Sequence, residues 1–594
     1  MKTRNKLYDK SRLRLLCLLT ALLGLFGAGQ TWAGNPTTLT VGGTNALNGG
    51  YWLTNADGTL TPDGASADNY NVYYDGNGTL TLKDATINGT ATTDHVGAGI
   101  YAEGDLTIVL EGSSTVKGVV DPYGESQSIR VSGNLTIQGG GSLTAQGAET
   151  SSGSNYGISV VGSFTQQSGS VTAISGTSKN YYSEGLYVFD GTVTVEGGTL
   201  TATGGNAGSS YGSSGISTNG TVTVNDAIVT ATGGNAGSSY GISTNGTVTV
   251  SDATVTATSG SAGYASYGLY IESSSPSVTL SGSSSLTARS GTATNTAGGI
   301  YFENLFGSTR SVTVGENSTL LTNSVIFRDS SFNENPLAPT GDGSWLIYGQ
   351  SDQTSAVGGN YTLEENLTIE NGNTFTIPAG STLTIPEDKT LTADANQLVV
   401  NGELVLEGTF ENANELTGTG NLVLGEITLT DDEGIGAYED YHLKLKSKKV
   451  TYTRALPVNS QYGTICLPFV PTSVTADQVT YYQVLELGSN EITLVETDFE
   501  AGKPLFYQTS GTGSITFSAE SAAGVELVTT PATDSFMVGT MSVYKPTAGY
   551  FLKNGNFYPI TDGVQVKVKS FRAYVKGQND ASQASVMSVN VARP

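Results

Sequence analysis

The chain has 594 residues, a net charge of −25 at pH 7, two cysteines and two histidines. This length predicts several domains rather than one compact core. The strongly acidic balance argues against nucleic acid and anionic membranes as partners. The scarcity of histidine leaves little material for histidine-based catalysis or for a zinc site.

Residues 1–33 are predicted to be a cleaved signal peptide. Six basic residues precede or enter the apolar run 15–26, and Thr31-Trp32-Ala33 offers a cleavage site of the small-residue type. Cys17 lies before most of the apolar run, which disfavours a lipoprotein. Cleavage would leave a net charge near −30 and Cys466 as the only cysteine. No later segment is apolar enough to predict a transmembrane span.

Residues 34–98 are predicted to form an N-terminal cap and the first coils of a solenoid. The stretch Thr79-Leu-Thr-Leu-Lys83 alternates polar and apolar residues, as a strand does. A cap is expected here because an open solenoid end would expose its core and its unpaired strand edges.

Residues 99–330 repeat one phrase eight times. Its first apolar residues are Ile100, Ile129, Ile158, Leu186, Ile216, Ile242, Leu269 and Ile300, spaced 26–31 residues apart. Apolar residues alternate with Thr within each copy, and Asn and Gly mark corners. Three short strands per copy, stacked in parallel about 4.8 Å apart, predict a right-handed parallel β-helix. A β-sandwich is the alternative, but it would need more frequent hairpin turns.

The rest of the chain divides by composition into four predicted segments. Residues 331–345 are expected to be a linker. Residues 346–430 repeat a Leu-Thr-Ile-like phrase every eight residues, as in Leu383-Thr-Ile385, and predict a second β-solenoid. A connector follows at 431–450, including the alternating Lys and Leu residues of a predicted protected edge. Aromatic, alternating runs predict an antiparallel β-sandwich at 451–594.

Two family resemblances follow from particular phrases. Thr79–Gly89 together with Gly99–Gly112 resembles secreted β-helix proteins described as carbohydrate-binding, which are similar to pectate lyases in fold. This resemblance covers about residues 35–330. It implies binding of acidic or cellulosic glycans, with calcium.

The second resemblance lies in the C-terminal region. Tyr452–Arg454, Tyr462–Phe469, Ala501–Pro504 and Phe571–Tyr574 resemble a β-sandwich domain of surface proteins from gut Gram-negative bacteria. Together with the signal peptide, this implies a secreted protein or one on the outer cell surface of a Gram-negative bacterium. The family more often has Trp where this chain has Tyr462.

Four tyrosines are the candidate carbohydrate-binding residues. Tyr156, Tyr211, Tyr240 and Tyr267 lie one to four residues before the first strand of their copies. A ridge of rings on a rod can stack on sugar rings. Each copy is joined to the next by a Gly-rich segment, here called an arm, which leads into the first strand of the next copy. The alternative is an aromatic ladder that only packs these arms together.

Three acidic residues are the candidate metal site. Glu196, Asp226 and Asp252 fall at the same corner of consecutive copies, and stacking would bring their carboxylates within about 5 Å. Calcium would relieve their repulsion. The alternative is that they are solvated corner residues bonded to the backbone. No cofactor is otherwise required.

No catalytic residues are predicted. Gly208–Gly212 and Gly237–Gly241 match the G-x-S-x-G form, but that motif needs a strand-to-helix turn with His and acid partners. The Asp clusters and basic groups of pectin-degrading β-helices do not occur in the repeats.

The favoured function is therefore non-enzymatic glycan binding or adhesion, with a polysaccharide or a host or bacterial surface glycan as partner. A structural or protein-binding surface spacer is the alternative. A β-helix polysaccharide lyase or hydrolase comes third.

Overall fold

The chain folds into β-structure throughout the part that the structure describes. The computed structural model describes residues 34–592 except 92–96, 304–308, 330–332, 350–354, 370–373, 394–396, 412–415, 436–442, 457–461, 476–477, 511–512, 562–564 and 578–585. The predicted signal peptide, His95 and His442 lie outside these residues. Within them every regular element is a strand, and none is a helix that could cross a membrane.

The repeats form a parallel β-solenoid with three sheets, as predicted. Each coil contributes one strand to each sheet in turn.

The first sheet consists of Thr44–Asn45, Thr38–Val41, Ile100–Glu103, Ser126–Val131, Asn155–Val160, Ser183–Val188, Gly212–Thr218, Ala236–Thr244, Ala262–Glu272, Thr296–Glu303, Val325–Arg328 and Glu334–Pro336. The second sheet consists of Leu60–Thr61, Gly50–Thr54, Val72–Tyr74, Thr79–Lys83, Leu106–Glu111, Leu135–Gly139, Phe164–Gln166, Val193–Val195, Val222–Asn225, Val248–Ser251, Ser277–Ser281 and Ser311–Val314. The third sheet consists of Thr86–Asn88, Ser113–Lys117, Ser142–Gln146, Ser170–Ile174, Gly198–Thr203, Ala227–Thr232, Thr254–Thr258, Ser285–Arg289, Thr319–Thr322, Ser344–Ile347, Ser355–Gly358, Phe375–Ile377 and Leu398–Val400.

The register of the first sheet confirms the repeat alignment residue by residue. The eight apolar residues from Ile100 to Ile300 pair with one another in unbroken succession, and Val325 adds a ninth member. All nine are buried, with at most 1% of their surface exposed. We call this row the isoleucine column. It is the inner wall of the coils because β-branched and Leu side chains fill the narrow core between the sheets.

A glycine precedes most members of the isoleucine column for a steric reason. A Cβ atom at Gly185 would lie 2.5 Å from the backbone nitrogen of Thr203, and Gly157 and Gly268 have equivalent backbone neighbours. The first-sheet strand therefore passes against the end of a third-sheet strand at a distance that only glycine permits. Ring contacts place the residue before the glycine and the residue after the isoleucine column on the same face, since Tyr156 stacks on Tyr187 with centroids 5.1 Å apart.

Antiparallel strands cover the N-terminal end of the solenoid, where a cap was predicted. Thr38–Val41 pairs antiparallel with Ile100–Glu103, and Gly50–Thr54, Val72–Tyr74 and Thr79–Lys83 form an antiparallel meander. At the other end of the first sheet, Glu334–Pro336 pairs antiparallel with Val325–Arg328. These strands cover edges that could otherwise pair with other chains.

A second, smaller solenoid follows, and its coils have about 18–24 residues. Leu383 pairs with Tyr361 on one side and Leu404 on the other. The eight-residue phrase is thus one side of a three-sided coil. The second solenoid uses the third sheet and two further sheets. One of these contains Asn360–Thr362, Thr382–Ile385, Glu403–Leu406 and Asn421–Leu429. The other consists of Leu367–Thr368, Thr390–Thr392 and Thr409–Glu411.

The two solenoids share the third sheet but lie on its opposite faces. Leu320 belongs to the core of the first solenoid, whereas its neighbour Leu321 packs with Leu346 and Val357 in the core of the second. The strand direction also reverses, because Ser344–Ile347 and Ser355–Gly358 pair antiparallel. A solenoid keeps its hand when its strands reverse direction and its core also moves to the opposite face of the shared sheet. The two solenoids therefore have the same hand, and the predicted right hand stays a prediction.

The C-terminal region continues directly from the second solenoid. Lys444–Ala455 pairs in parallel with Asn421–Leu429 and antiparallel with Ser514–Leu527, so the boundary predicted at 450/451 falls inside a strand. Ser473–Val474 ends this seven-stranded sheet. Two further, largely antiparallel sheets complete the region: Tyr462–Ile465, Leu505–Thr509, Val479–Leu487, Glu491–Glu496 and Ser588–Val591 in one, and Met537–Thr540, Arg572–Val575, Tyr550–Lys553 and Asn556–Pro559 in the other.

The prediction of an unpaired, lysine-protected edge near residue 444 is wrong. Lys444–Ala455 is an interior strand, and its lysines form ion pairs with glutamates of preceding strands. Lys446 binds Glu403 and Lys449 binds Glu426. The alternating charge therefore complements the glutamates of the solenoid, and the contribution of each pair is small because solvent screens it.

Candidate functional site

The outer surface of the first sheet bears two rows of side chains beside the isoleucine column. One row lies two residues before the column and the other lies one residue after it. Tyrosines concentrate in both rows and in the adjoining arms. We call this surface the tyrosine face, and its rings are Tyr156, Tyr181, Tyr182, Tyr187, Tyr211, Tyr240, Tyr267, Tyr270 and Tyr301.

Four of these rings form a packed ladder at one end of the face. The ring centroids of Tyr267 and Tyr301 are 4.2 Å apart, and those of Tyr240 and Tyr270 are 5.1 Å apart. Tyr267 and Tyr301 are only 3% and 2% exposed, whereas Tyr240 and Tyr270 are half-buried. Neighbouring rings therefore cover Tyr267, a predicted sugar-binding residue, and leave none of its ring faces open to a ligand.

The other group combines two exposed rings, Tyr181 and Tyr182, with the half-buried rings of Tyr156, Tyr187 and Tyr211. Tyr181 and Tyr182 are 41% and 47% exposed, and both contact Tyr211, with centroid distances of 5.0 and 5.3 Å. Tyr156 stacks on Tyr187 at 5.1 Å. These rings lie on arms and strands of three consecutive coils, so they form a shallow, extended aromatic surface rather than a pocket.

The four predicted tyrosines thus divide between the two groups. Tyr240 and Tyr267 pair directly in register and belong to the packed ladder. Tyr156 aligns with Glu184 instead of another tyrosine. Tyr211 lies in the turn before Gly212–Thr218, where it meets the rings of the preceding arm.

Glu184 is a buried carboxyl group within the tyrosine face. It is 7% exposed and stands between Tyr156 and Ser214 in the register of the sheet. Burial raises its pKa to about 7, although a hydrogen bond with Ser217 partly opposes this. Burial, with Glu184 as a second cause, also raises the pKa of the neighbouring Tyr187 hydroxyl to about 12. The carboxyl group is thus poised to change charge near neutral pH.

Further carboxylates border the packed ladder. Glu272 and Glu303 are register neighbours, and Arg328 follows Glu303 in the next coil. The Nη1 atom of Arg328 lies 3.1 Å from Oε1 of Glu303, and the hydroxyl of Tyr301 donates a hydrogen bond of 3.4 Å to Glu334. The tyrosine face therefore combines rings with hydrogen-bonding groups whose charge is mainly negative.

The predicted calcium ligands do not converge. Val195 pairs with Val224, so Glu196 lies opposite Asn225 and one position away from Asp226. All three predicted ligands are exposed, and no group of three His, Cys, Asp or Glu residues in the described chain could hold a metal ion. The offset arises because the preceding corner has four residues between Val188 and Val193 but only three between Thr218 and Val222. Calcium binding accordingly has no preformed three-carboxylate site at this corner.

Asp252 has a structural role at the corner. Its Oδ1 atom accepts a hydrogen bond of 2.9 Å from the backbone N–H of Ser283 in the next coil. Asp84 makes the same bond to Ser113 near the other end of the solenoid. Both aspartates have left-handed backbone, with φ of 50° and 49°, a conformation that Asp tolerates better than most residues. They join consecutive coils at their corners.

The two G-x-S-x-G segments do not form hydrolase elbows. Gly237–Gly241 lies within the strand Ala236–Thr244, and Gly208–Gly212 runs through a turn into the strand Gly212–Thr218. Neither is followed by a helix, which the motif requires.

Several important residues of the face were missed from the sequence. Tyr187, Tyr270 and Tyr301 each follow a member of the isoleucine column directly. The aligned copies contain this signal, because the position after an inward residue must point outward. Glu184 gave no such signal, since its burial depends on rings from neighbouring arms.

No family model matches the chain, and no match was found among curated proteins or solved structures. The parallel β-solenoid implied by the first resemblance is present in the structure. The carbohydrate binding it implies, and the family of the C-terminal region, stay predictions.

Proposed function

We propose that this chain is a non-enzymatic glycan-binding protein, secreted or displayed on the outer cell surface, that binds a polysaccharide along its tyrosine face. The observation behind this proposal is the pair of exposed rings Tyr181 and Tyr182, which both contact the half-buried ring of Tyr211. Neighbouring exposed aromatic rings on a protein surface mark an interaction site. Their faces suit the C–H surfaces of sugar rings.

The regular spacing of the coils supports a chain-like ligand. Arms and strands recur about every 4.8 Å along the solenoid axis, which is close to the length of one pyranose unit. Serine hydroxyls alternate with the rings in the row after the isoleucine column, as at the partly exposed Ser159 and Ser243, and offer hydrogen bonds. A linear glycan lying along the axis would thus meet similar groups at each sugar.

The charge of the face favours a neutral glycan. Glu272, Glu303 and Glu334 border the packed ladder, and Arg328 is engaged by Glu303. A polyanionic glycan would be repelled by this excess of carboxylates. Carboxylates also accept hydrogen bonds from sugar hydroxyls, which a neutral glycan offers in number.

The alternative function, a structural or protein-binding spacer, draws on a different observation. Tyr267 and Tyr301 are buried in a ladder that stiffens the arms. The third sheet also joins both solenoids, and a further sheet joins the second solenoid to the C-terminal region. Such continuity suits a rigid spacer. It does not account for the exposed rings at Tyr181 and Tyr182.

Retention of the full chain on immobilised polysaccharides tests the proposal. A panel of neutral and acidic glycans should be run with calcium and with a chelator. Replacing both Tyr182 and Tyr211 with Ala removes two stacking partners worth about 0.5–1.5 kcal/mol each. We expect binding to weaken roughly 5- to 150-fold.

Ile228→Ala is the matched control, because Ile228 is 52% exposed on the third sheet, away from the tyrosine face. Equal weakening by the control and the double variant would contradict the proposed site. Retention that requires calcium and survives the tyrosine substitutions would move the site to carboxylates. If the folded chain binds no glycan, the spacer function is the better explanation.

A further inference from the structure

The C-terminal region contains a buried guanidinium group without a carboxylate partner. Arg454 lies on Lys444–Ala455 and is only 3% exposed. Its Nη1 atom donates a hydrogen bond of 2.7 Å to the carbonyl of Thr464, and its Cζ atom lies 5.2 Å from the ring centroid of Tyr507. Its Nε atom is buried with no hydrogen-bond partner. No carboxylate among the described residues lies within ion-pair distance of it.

This arrangement is costly unless something satisfies the charge. A buried donor left unpaired costs about 1–3 kcal/mol, and more when it is charged. Burial lowers the pKa of Arg454, and the nearby positive charge of Arg572 adds to this effect. An anion next to the guanidinium would supply the missing countercharge.

The nearest carboxylate is already occupied. Asp431 accepts hydrogen bonds from Nε and Nη2 of Arg572, at 3.3 and 2.6 Å, and from the hydroxyl of Tyr452 at 2.6 Å. Burial alone would raise the pKa of Asp431, but these bonds hold it below its usual value. Asp431 thus neutralises Arg572 and leaves Arg454 without a directly bound carboxylate.

A small cavity opens beside these two arginines. It encloses about 200 Å³ and is lined by Arg454, Arg572, Lys553, Asn554 and Thr464, among others. Three of these side chains are cationic, although the whole chain has a net charge of −25. A larger cleft of about 600 Å³ beside Tyr544 and Tyr574 has no charged residue in its lining. The basic cavity is therefore a local feature of the fold.

We propose that this cavity is a binding site for a single oxyanion group, such as a carboxylate or a phosphate, held between Arg454, Arg572 and Lys553. A guanidinium offers a planar fork of donors that matches the two oxygens of such a group. Because one water occupies about 30 Å³, the volume suffices for an acidic sugar or a comparable small acid. The site is separate from the tyrosine face and does not depend on the function proposed for it.

Calorimetric titration of the full chain at constant ionic strength tests this site. The probes are inorganic phosphate, acetate and glucuronate. We expect saturable binding at one site per chain. Tighter binding of glucuronate than of acetate would identify a sugar acid as the preferred source of the carboxylate, whereas tightest binding of phosphate would identify an inorganic anion.

Two variants and a control locate the binding. Lys553→Ala removes an exposed cation at the mouth of the cavity and should weaken binding roughly 5- to 10-fold, corresponding to one charge-assisted contact. Arg454→Lys keeps the charge but loses the fork and should weaken it at least as much. Lys545→Ala removes an exposed lysine outside the cavity lining and should leave binding unchanged.

The proposal is overturned if no probe binds the folded wild-type chain at millimolar concentration. It is also overturned if Lys553→Ala and Lys545→Ala have equal effects, because binding would then reflect general surface charge. Since Lys553 is exposed at the end of the hairpin strand Tyr550–Lys553, its substitution tests the site even if Arg454→Lys fails to fold.

Discussion

The buried carboxyl group of Glu184 predicts that the first solenoid loses stability as the pH rises. In the folded chain its pKa is about 7, whereas the ordinary value is 4.5. Between these two values the folded state keeps a proton that the unfolded state has released. The free energy of unfolding therefore falls as the pH rises from about 4.5 to about 7, and changes no further above that.

The size of the effect follows from the shift. Each pKa unit corresponds to about 1.36 kcal/mol, so a shift from 4.5 to about 7 costs about 3 kcal/mol at pH 8. Glu184→Gln keeps the shape and the hydrogen bond to Ser217 but cannot ionise. We expect it to raise the free energy of unfolding at pH 8 by up to this amount, and to change it little at pH 4.

Urea denaturation at pH 4, 6 and 8, followed by circular dichroism, measures this difference. Glu196→Gln is the matched control because Glu196 is exposed at a corner of the same coil. If both variants show the same dependence on pH, burial of the Glu184 carboxyl group does not lower the free energy of unfolding at high pH, and the prediction is wrong.

Two further predictions concern how coils are joined. Gly215→Ala should lower the free energy of unfolding by about 1–3 kcal/mol, because a methyl group would overlap the backbone of the neighbouring third-sheet strand. Asp252→Ala should cost about 1 kcal/mol more than Asp226→Ala. The two aspartates share a left-handed backbone, but it is the carboxylate of Asp252 that accepts a hydrogen bond from the backbone N–H of Ser283.

Each of these has its own control in the chain. Gly140 has no atom within 4 Å of the place where a Cβ would lie, so Gly140→Ala should be nearly neutral in urea denaturation. A loss equal to that of Gly215→Ala would show that glycine flexibility, not close packing, decides the effect. For the aspartates, equal losses would mean that the bond between coils contributes nothing measurable.

The architecture of the first solenoid could be predicted because its signal is local and repeated. Alternation within each copy places Ile, Leu and Val inward, and the fixed spacing places copies above one another. The isoleucine column follows from these two facts alone. The N-terminal cap was also predictable, because an exposed solenoid end is unfavourable whatever the sequence of the cap.

Features that depend on exact corner length or on distant partners could not be predicted. Glu196 and Asp226 differ by one register position, which a repeat alignment with variable spacing does not resolve. The eight-residue phrase identified a side of a coil and not the coil itself. The interior position of Lys444–Ala455 depends on glutamates and strands far away in the chain.

The tyrosine face and the basic cavity also depend on contacts between residues that are far apart in the chain, so the sequence alone does not indicate them. Exposure of Tyr182 and burial of Tyr267 depend on which arm covers which ring, and the sequence treats both as similar arm residues. Arg572 and Asp431 are 141 residues apart, so no local pattern indicates their pairing. Local chemistry suggested aromatic sugar contacts, and only the fold separates the open rings from the packed ones.

Hydroxyl-radical footprinting of the full chain, with and without a retained neutral glycan, tests the proposed glycan site most directly. We expect bound glycan to protect Tyr181, Tyr182 and Tyr211 from oxidation and to leave Tyr544, exposed in the C-terminal region, unprotected. Protection of Tyr544 alone, or no change at the three tyrosines while the glycan is bound, would contradict the assignment of the tyrosine face as the glycan-binding surface.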